Sequence, residues 1–154
     1  MILFQRLEIF DKQIRMTKLF LPGKYENLVK ISEFVRLAAN EAGLDAVSIY
    51  QVKTAVEEAC ANIIEHAYGK ENVGDIECTC EVRPDELTVI LHDWGKSFNP
   101  VKIRPPNLNA PLKKRHAHGL GLLFIRQWMD EVHFNFTAET GNFLTMVKHK
   151  EKVG

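Results

Sequence analysis

No apolar run in the sequence approaches the roughly 20 residues that cross a bilayer as a helix, so no membrane span is expected. The opening Met1-Ile2-Leu3-Phe4 is too short for the apolar core of a secretion signal, and it lacks a basic start. Cysteine is scarce. Cys60, Cys78 and Cys80 are three, an odd count that builds no closed disulfide framework. Reduced thiols in a cytoplasmic protein are the simple expectation. Net charge is also lacking: Lys plus Arg and Asp plus Glu are 20 each. That balance excludes global attraction to nucleic acid and leaves any electrostatic specialisation local. There is no internal repeat and no sign of a second domain.

What is present is globular. The 154 residues are 45% hydrophobic and 26% charged, enough for one domain with a real core. Residues 1–13 have no clear period, and both an extra strand and a loose arm stay open for them. Residues 14–154 read as a single domain. Ile14 to Leu21 alternates as a strand and stops at Pro22-Gly23. Leu28, Ile31, Phe34, Val35 and Ala38 recur at helical spacing from Tyr25 to Ala42, and Gly43 stands where a helix ends. Asp45 caps a second helix running to about Tyr68, with Gly69 as its stop. Asp75 to Val82 and Leu87 to His92 read as strands joined by Arg83-Pro84-Asp85-Glu86. Leu122 to Asp130 is helical in pattern. Glu131 to Ala138 and Phe143 to His149 are strands around the turn Glu139-Thr140-Gly141-Asn142. This order predicts an α+β fold: a two-layer sandwich, its sheet mixed but mostly antiparallel, with helices on one face.

Four stretches carry the chemistry. On the second helix, Val52, Val56, Ala59 and Ile63 form the apolar face, with Ala55 beside them. Gln51, Glu58, Asn62 and Glu65 form a polar strip at its edge. A carboxylate and an amide four residues apart are neighbours on a helix and can address one object, such as a hard cation with its phosphates. A surface helix whose Asn faces water is the bland alternative, and the helix alone leaves both open. Second, Asp93-Trp94-Gly95 closes a strand. Third, residues 94–118 have no hydrophobic period, four prolines, six basic residues and no acid. A basic loop of this length reads as a lid over an anion, or as a solvated surface loop. Fourth, Gly119-Leu120-Gly121 opens a helix, where free N–H groups can hold phosphate.

In this order and at these spacings, Glu58-x-x-x-Asn62, Asp93-x-Gly95, the basic lid and His118-Gly119-Leu120-Gly121 together resemble the GHKL (Bergerat-fold) ATP-binding superfamily. The short layout from about residue 15 onward resembles its anti-sigma-factor serine/threonine kinases. The resemblance implies Mg-ATP as ligand and a set of roles. Asn62 would bind Mg²⁺, and Glu58 would be the general base. Asp93 would accept from the adenine amino group, and Gly95 would let the purine lie against the backbone. Gly119 and Gly121 would cradle phosphates, with Leu120 and Leu122 supporting the lid. Arg115 would meet phosphate charge, and Ser97 and His118 would join the nucleotide site. The family's last box carries Gly-Thr; here Gly141-Asn142 stands there, and Thr145 is assigned to the site in its place.

The implied function is a Mg-ATP-dependent protein serine/threonine kinase. It would bind a sigma factor or another regulator and phosphorylate a serine on an antagonist protein. The alternative is a non-catalytic ATP-binding module acting by partner binding. A homodimer could form through an open sheet edge near residues 14–21. His116 and His118 read as lid residues rather than metal ligands, and His92 as structural. Trp94 and Trp128 read as packing, and Cys60, Phe134 and Phe136 as core.

Overall fold

The computed structural model describes the backbone course of residues 3–8 and residues 14–98 and 125–151. Among the described residues six strands form one sheet: β1 (Leu3–Glu8), β2 (Arg15–Pro22), β3 (Asp75–Arg83), β4 (Glu86–Asp93), β5 (Glu131–Thr137) and β6 (Gly141–His149). Their spatial order is β1-β2-β3-β4-β6-β5. Every pairing among the described strands is antiparallel. Two helices, α1 (Leu28–Glu41) and α2 (Ala46–Asn62), pack against each other, and α1 lies on β3 and β4. The fold is therefore α+β, a sheet with helices on one face.

Strand alternation sorts the residues between the layers. Leu19 and Leu21, Ile76, Cys78 and Cys80, Leu87, Val89 and Leu91, and Met146 are buried and join one hydrophobic cluster. Ile31, Val35 and Ala39 of α1 and Val52, Val56 and Ala59 of α2 close it from above. Full burial of each large side chain here, such as Leu21, Ile64 or Leu91, stabilises by about 1.5–3 kcal/mol. Cys60, Cys78 and Cys80 are free thiols inside this core, and burial pushes the Cys60 thiol well up.

The local signals behave as their chemistry dictates. The Asp45 side chain accepts from the Ser48 N–H at 2.7 Å and starts α2. At its other end α2 widens into a π-helical turn over Ile63–Ala67, closed by the Tyr68 N–H on the Ile63 carbonyl at 3.0 Å.

One open reading is resolved and two expectations change. The stretch 1–13 contains a strand, β1, which pairs with β2 from Leu3↔Phe20 to Glu8↔Arg15. The edge near residues 14–21 is consequently not open: β2 is flanked by β1 and β3, and its backbone groups are used on both sides. Among the described strands, the edges left for pairing of two copies are β1 and β5. Finally, Phe136 is not core. It is 41% exposed near the end of the edge strand β5.

Candidate functional site

The helix face and the sheet face part around a cavity of about 420 Å³. Asn62, Ala59 and Ile63 supply its helical wall, Asp93 and Asn142 its polar floor, and Phe98, Ile125, Met129, Val132, Phe134 and Leu144 its apolar sides. Arg126 and Asp130 stand at its margin, exposed to solvent. Ala59 is a small side chain of α2 on the cavity wall.

Asn62 is only 3% exposed, and its Oδ1 is buried with no hydrogen-bond partner among the described residues. A buried amide oxygen left unpaired costs about 1–3 kcal/mol, so this atom favours any ligand that offers a donor or a cation. Glu58 lies one helical turn earlier, as the polar strip requires. It is half-buried, its Oε2 is withdrawn from solvent, and it lies outside the cavity wall.

Asp93 ends β4 with its side chain turned into the cavity. Its Oδ1 accepts from the Gly95 N–H at 2.9 Å and from Asn142 Nδ2 at 2.7 Å. Burial pushes the carboxyl above its ordinary value of 3.8, against the opposing pull of these two hydrogen bonds and of nearby His92.

Gly95 has a packing requirement of its own. It does not line the cavity. A Cβ there would meet the Ala67 carbonyl carbon and oxygen at 2.6 Å. Glycine is needed so that the end of β4 can dock on the π turn, where the Lys96 N–H donates to the Ala67 carbonyl at 2.8 Å. Tyr68 strengthens the same junction: its hydroxyl donates to the Asp75 carbonyl at 2.5 Å and accepts from the Trp94 N–H at 3.0 Å. Ser97 is exposed and also stands outside the cavity wall.

Thr145 is displaced from the site. Register pairs Asp93 with Asn142, Leu91 with Leu144 and Ile90 with Thr145. Asn142 and Leu144 therefore face the helices, while Thr145 lies on the opposite side of the sheet with Phe143 and Val147. The β6 residue that reaches the cavity is Asn142, and the signal for it was its place in the Gly-Thr box. Phe98 and Phe134, whose rings lie 6.1 Å apart, were likewise not assigned to the site; the alternation of residues 131–138 pointed at Phe134 alone. Arg115, His118, Gly119, Leu120, Gly121 and Leu122, with most of the 94–118 stretch, lie outside the described residues.

His92 is structural: it stacks on Phe143 with centroids 3.9 Å apart, and its Nε2 meets the Thr140 carbonyl at 2.5 Å. Trp94 packs on His92 and Phe20 but remains 48% exposed. Among the described residues no group of three or more His, Cys, Asp and Glu could hold a metal ion alone.

The sequence from residue 21 to 148 matches the family described as Histidine kinase-like ATPase domain. The chain belongs to that family. It is also similar to the serine-protein kinase RsbW of Bacillus mycoides (strain KBAB4) and of Bacillus cereus (strain ATCC 10987 / NRS 248). Each is 30% identical over 151 residues, covering 96% of this chain and 91% of the relative. That coverage leaves too few residues over for the whole of 1–13 to lie outside the match. In this histidine kinase-like ATPase domain the cavity sits between the helix bearing Glu58 and Asn62 and the strand ending at Asp93. No helix among the described residues is long and apolar enough to cross a membrane.

Proposed function

We propose that the protein is a Mg-ATP-dependent protein serine/threonine kinase of the cytoplasm. It acts as an anti-sigma factor or similar partner-switching regulator and phosphorylates a serine on an antagonist protein. The observation that carries this reading is the shared cavity of Asn62 and Asp93, with Glu58 one turn from Asn62. Family membership and the likeness to RsbW serine-protein kinases support it.

Each residue has a task its chemistry suits. The apolar walls take the faces of a purine, and Asp93 takes an N–H on its edge. The orphaned oxygen of Asn62 fits a hard cation. With so few acidic groups nearby, such an ion would depend on phosphate and water for its other ligands. Mg²⁺, when bound, neutralises charge developing on the transferred phosphoryl group. Glu58, at the helix edge outside the cavity, is the base that takes the proton of an incoming serine hydroxyl. Arg115 supplies cationic charge to the phosphates, and Gly119 and Gly121 supply backbone N–H groups.

A second reading has an observation in its favour. Because Glu58 lies outside the cavity wall, a domain that binds ATP and regulates by partner binding alone would use the same pocket. Incubation with γ-labelled ATP and the antagonist protein separates the two. Acid-stable label on a serine of the antagonist is the expected result. Bound nucleotide without transfer would replace the kinase reading with the second one, and acid-labile label would point to histidine phosphorylation.

A further inference from the structure

Arg126 belongs to the helical turn 125–128, in which the Met129 N–H donates to the Ile125 carbonyl at 3.1 Å. Ile125 and Met129 are buried, at 4% and 5% exposure, and pin the turn to the core. Arg126 is exposed and lines the cavity. It is the single cation among the described residues of that wall; the other charges there are Asp93 and Asp130. Among the described residues Arg126 has no ion-pair or hydrogen-bond partner. Asp130, one helical turn on, is a carboxylate within reach by spacing. Its Oδ2 accepts the His149 N–H at 2.7 Å and is turned to the β6 backbone.

The turn crosses the cavity at the end remote from Asp93. Asp93 stands opposite Asn142 at the start of β6, and the chain just beyond it docks on the π turn through the Lys96 N–H and the Ala67 carbonyl. Asp130 donates its N–H to the Val147 carbonyl at 2.9 Å, five residues further along β6, about 17 Å by strand rise. The Trp128 ring lies 6.0 Å from that of Tyr50, twelve residues before Asn62 on α2, about 18 Å by helical rise. Arg126 precedes Trp128 by two residues. Along the cavity the order is therefore Asp93, then Asn62, then Arg126.

We infer that Arg126 is a phosphate-binding residue, which takes the terminal phosphate of a nucleoside triphosphate whose base lies at the Asp93 end. The inference rests on the nucleotide reading of the cavity and adds a side chain from outside the glycine and carboxylate-amide motifs. A base held at Asp93 sends its phosphates past Asn62 and towards the guanidinium. The planar fork matches two phosphate oxygens, and its charge is not spent on a carboxylate. A nucleotide with fewer phosphates stops short of it. A merely solvated arginine fits the exposure equally well, but it would not distinguish ligands by phosphate number.

Calorimetric titration of the full chain with ATP, ADP and AMP, with and without Mg²⁺, tests this for the native protein, Arg126→Gln and Arg126→Lys. Arg126 is exposed, so both variants should melt within about 2 °C of the parent. In Arg126→Gln, ATP affinity should fall about tenfold, while ADP and AMP change less than about twofold. Arg126→Lys keeps the charge without the fork and should lose about threefold for ATP. The ATP loss in Arg126→Gln should shrink in about 1 M salt, where the screening length is about 3 Å. Equal losses for ATP and ADP would move the contact to an inner phosphate. Equal losses for all three would make Arg126 a prop of the cavity wall, and an unchanged ATP affinity would leave it a surface arginine. Each of these overturns the inference. A native protein that binds none of the three in either condition would remove the nucleotide reading itself, and the inference with it. A second measurement needs no variant: the side-chain ¹⁵Nε resonance of Arg126 should shift with ATP and not with AMP. Equal shifts would count against direct contact.

Discussion

Gly95 and Ala67 touch so closely that one methyl group separates a formed site from a disrupted one. The missing Cβ of Gly95 would lie 2.6 Å from two backbone atoms of Ala67. Backbone yields less readily than the tip of a side chain. Gly95→Ala should therefore destabilise the protein by about 1–3 kcal/mol, read by denaturant unfolding. Nucleotide affinity should fall with it, because the Gly95 N–H that donates to Asp93 would be displaced.

Asn62→Ala removes a buried amide whose oxygen has no partner among the described residues. Stability should change little or rise, with Tm no more than about 3 °C below the parent. ATP affinity should drop at least about tenfold with Mg²⁺ present and much less without it. Equal losses with and without the ion would show that Asn62 contacts the nucleotide directly.

Glu58→Gln keeps the size and one acceptor oxygen but cannot take a proton. Nucleotide binding should be retained while serine phosphorylation falls about a hundredfold or more, as a single-turnover assay would measure. Retained transfer would remove Glu58 as the base.

Asp93 links stability and binding with opposite signs. Burial holds its folded pKa above the ordinary 3.8, so the ionised carboxylate is unfavourable to the fold. The stability it gives as a neutral acid is present below 3.8 and lost as pH rises through the raised value. Asp93→Asn should unfold at a higher temperature than the parent at about pH 7, and that advantage should shrink as pH falls. ATP affinity should go the other way: weaker in the variant, and weaker in the parent on acidification. Thermal melts and titrations across pH check both signs.

Asp45 behaves conventionally. The Ser48 N–H holds its carboxyl below the ordinary 3.8. The stability it contributes is present above 3.8 and lost as pH falls through the lowered folded value. Asp45→Ala should lower Tm by a few degrees near neutrality, with the difference fading in acid.

Much of the fold was legible because its signals are local. Leu28, Ile31, Val35 and Ala38 mark one helix at its own period, and Asp45 marks the start of the next. Arg83-Pro84-Asp85-Glu86 marks a hairpin. The partnership of β1 with β2 was not legible, since residues 3–8 show no alternation and strand pairing is a contact at a distance. Nor was the π turn after Asn62, whose residues Ile63–Ala67 read as ordinary helix.

The site divided the same way. Spacing and residue type singled out Asn62 and Asp93, which the fold brings to one cavity, and Glu58, which lies outside its wall. Thr145 could not be rejected by either, because a strand's two faces differ only by parity. That parity is set by which residue of β6 stands opposite Asp93. The close approach of Gly95 to Ala67 could not be read from the sequence, because that neighbour is a helix end distant along the chain.

By itself the sequence determined the elements, their order and the chemical types available to a site, because propensity, capping and hydrophobic period act within a few residues. Only the tertiary structure decided that Asn142 and not Thr145 faces the cavity, that β2 is covered, and that Gly95 serves packing. Each of those depends on register and approach between segments far apart in the chain, and no local signal encodes a distance between them.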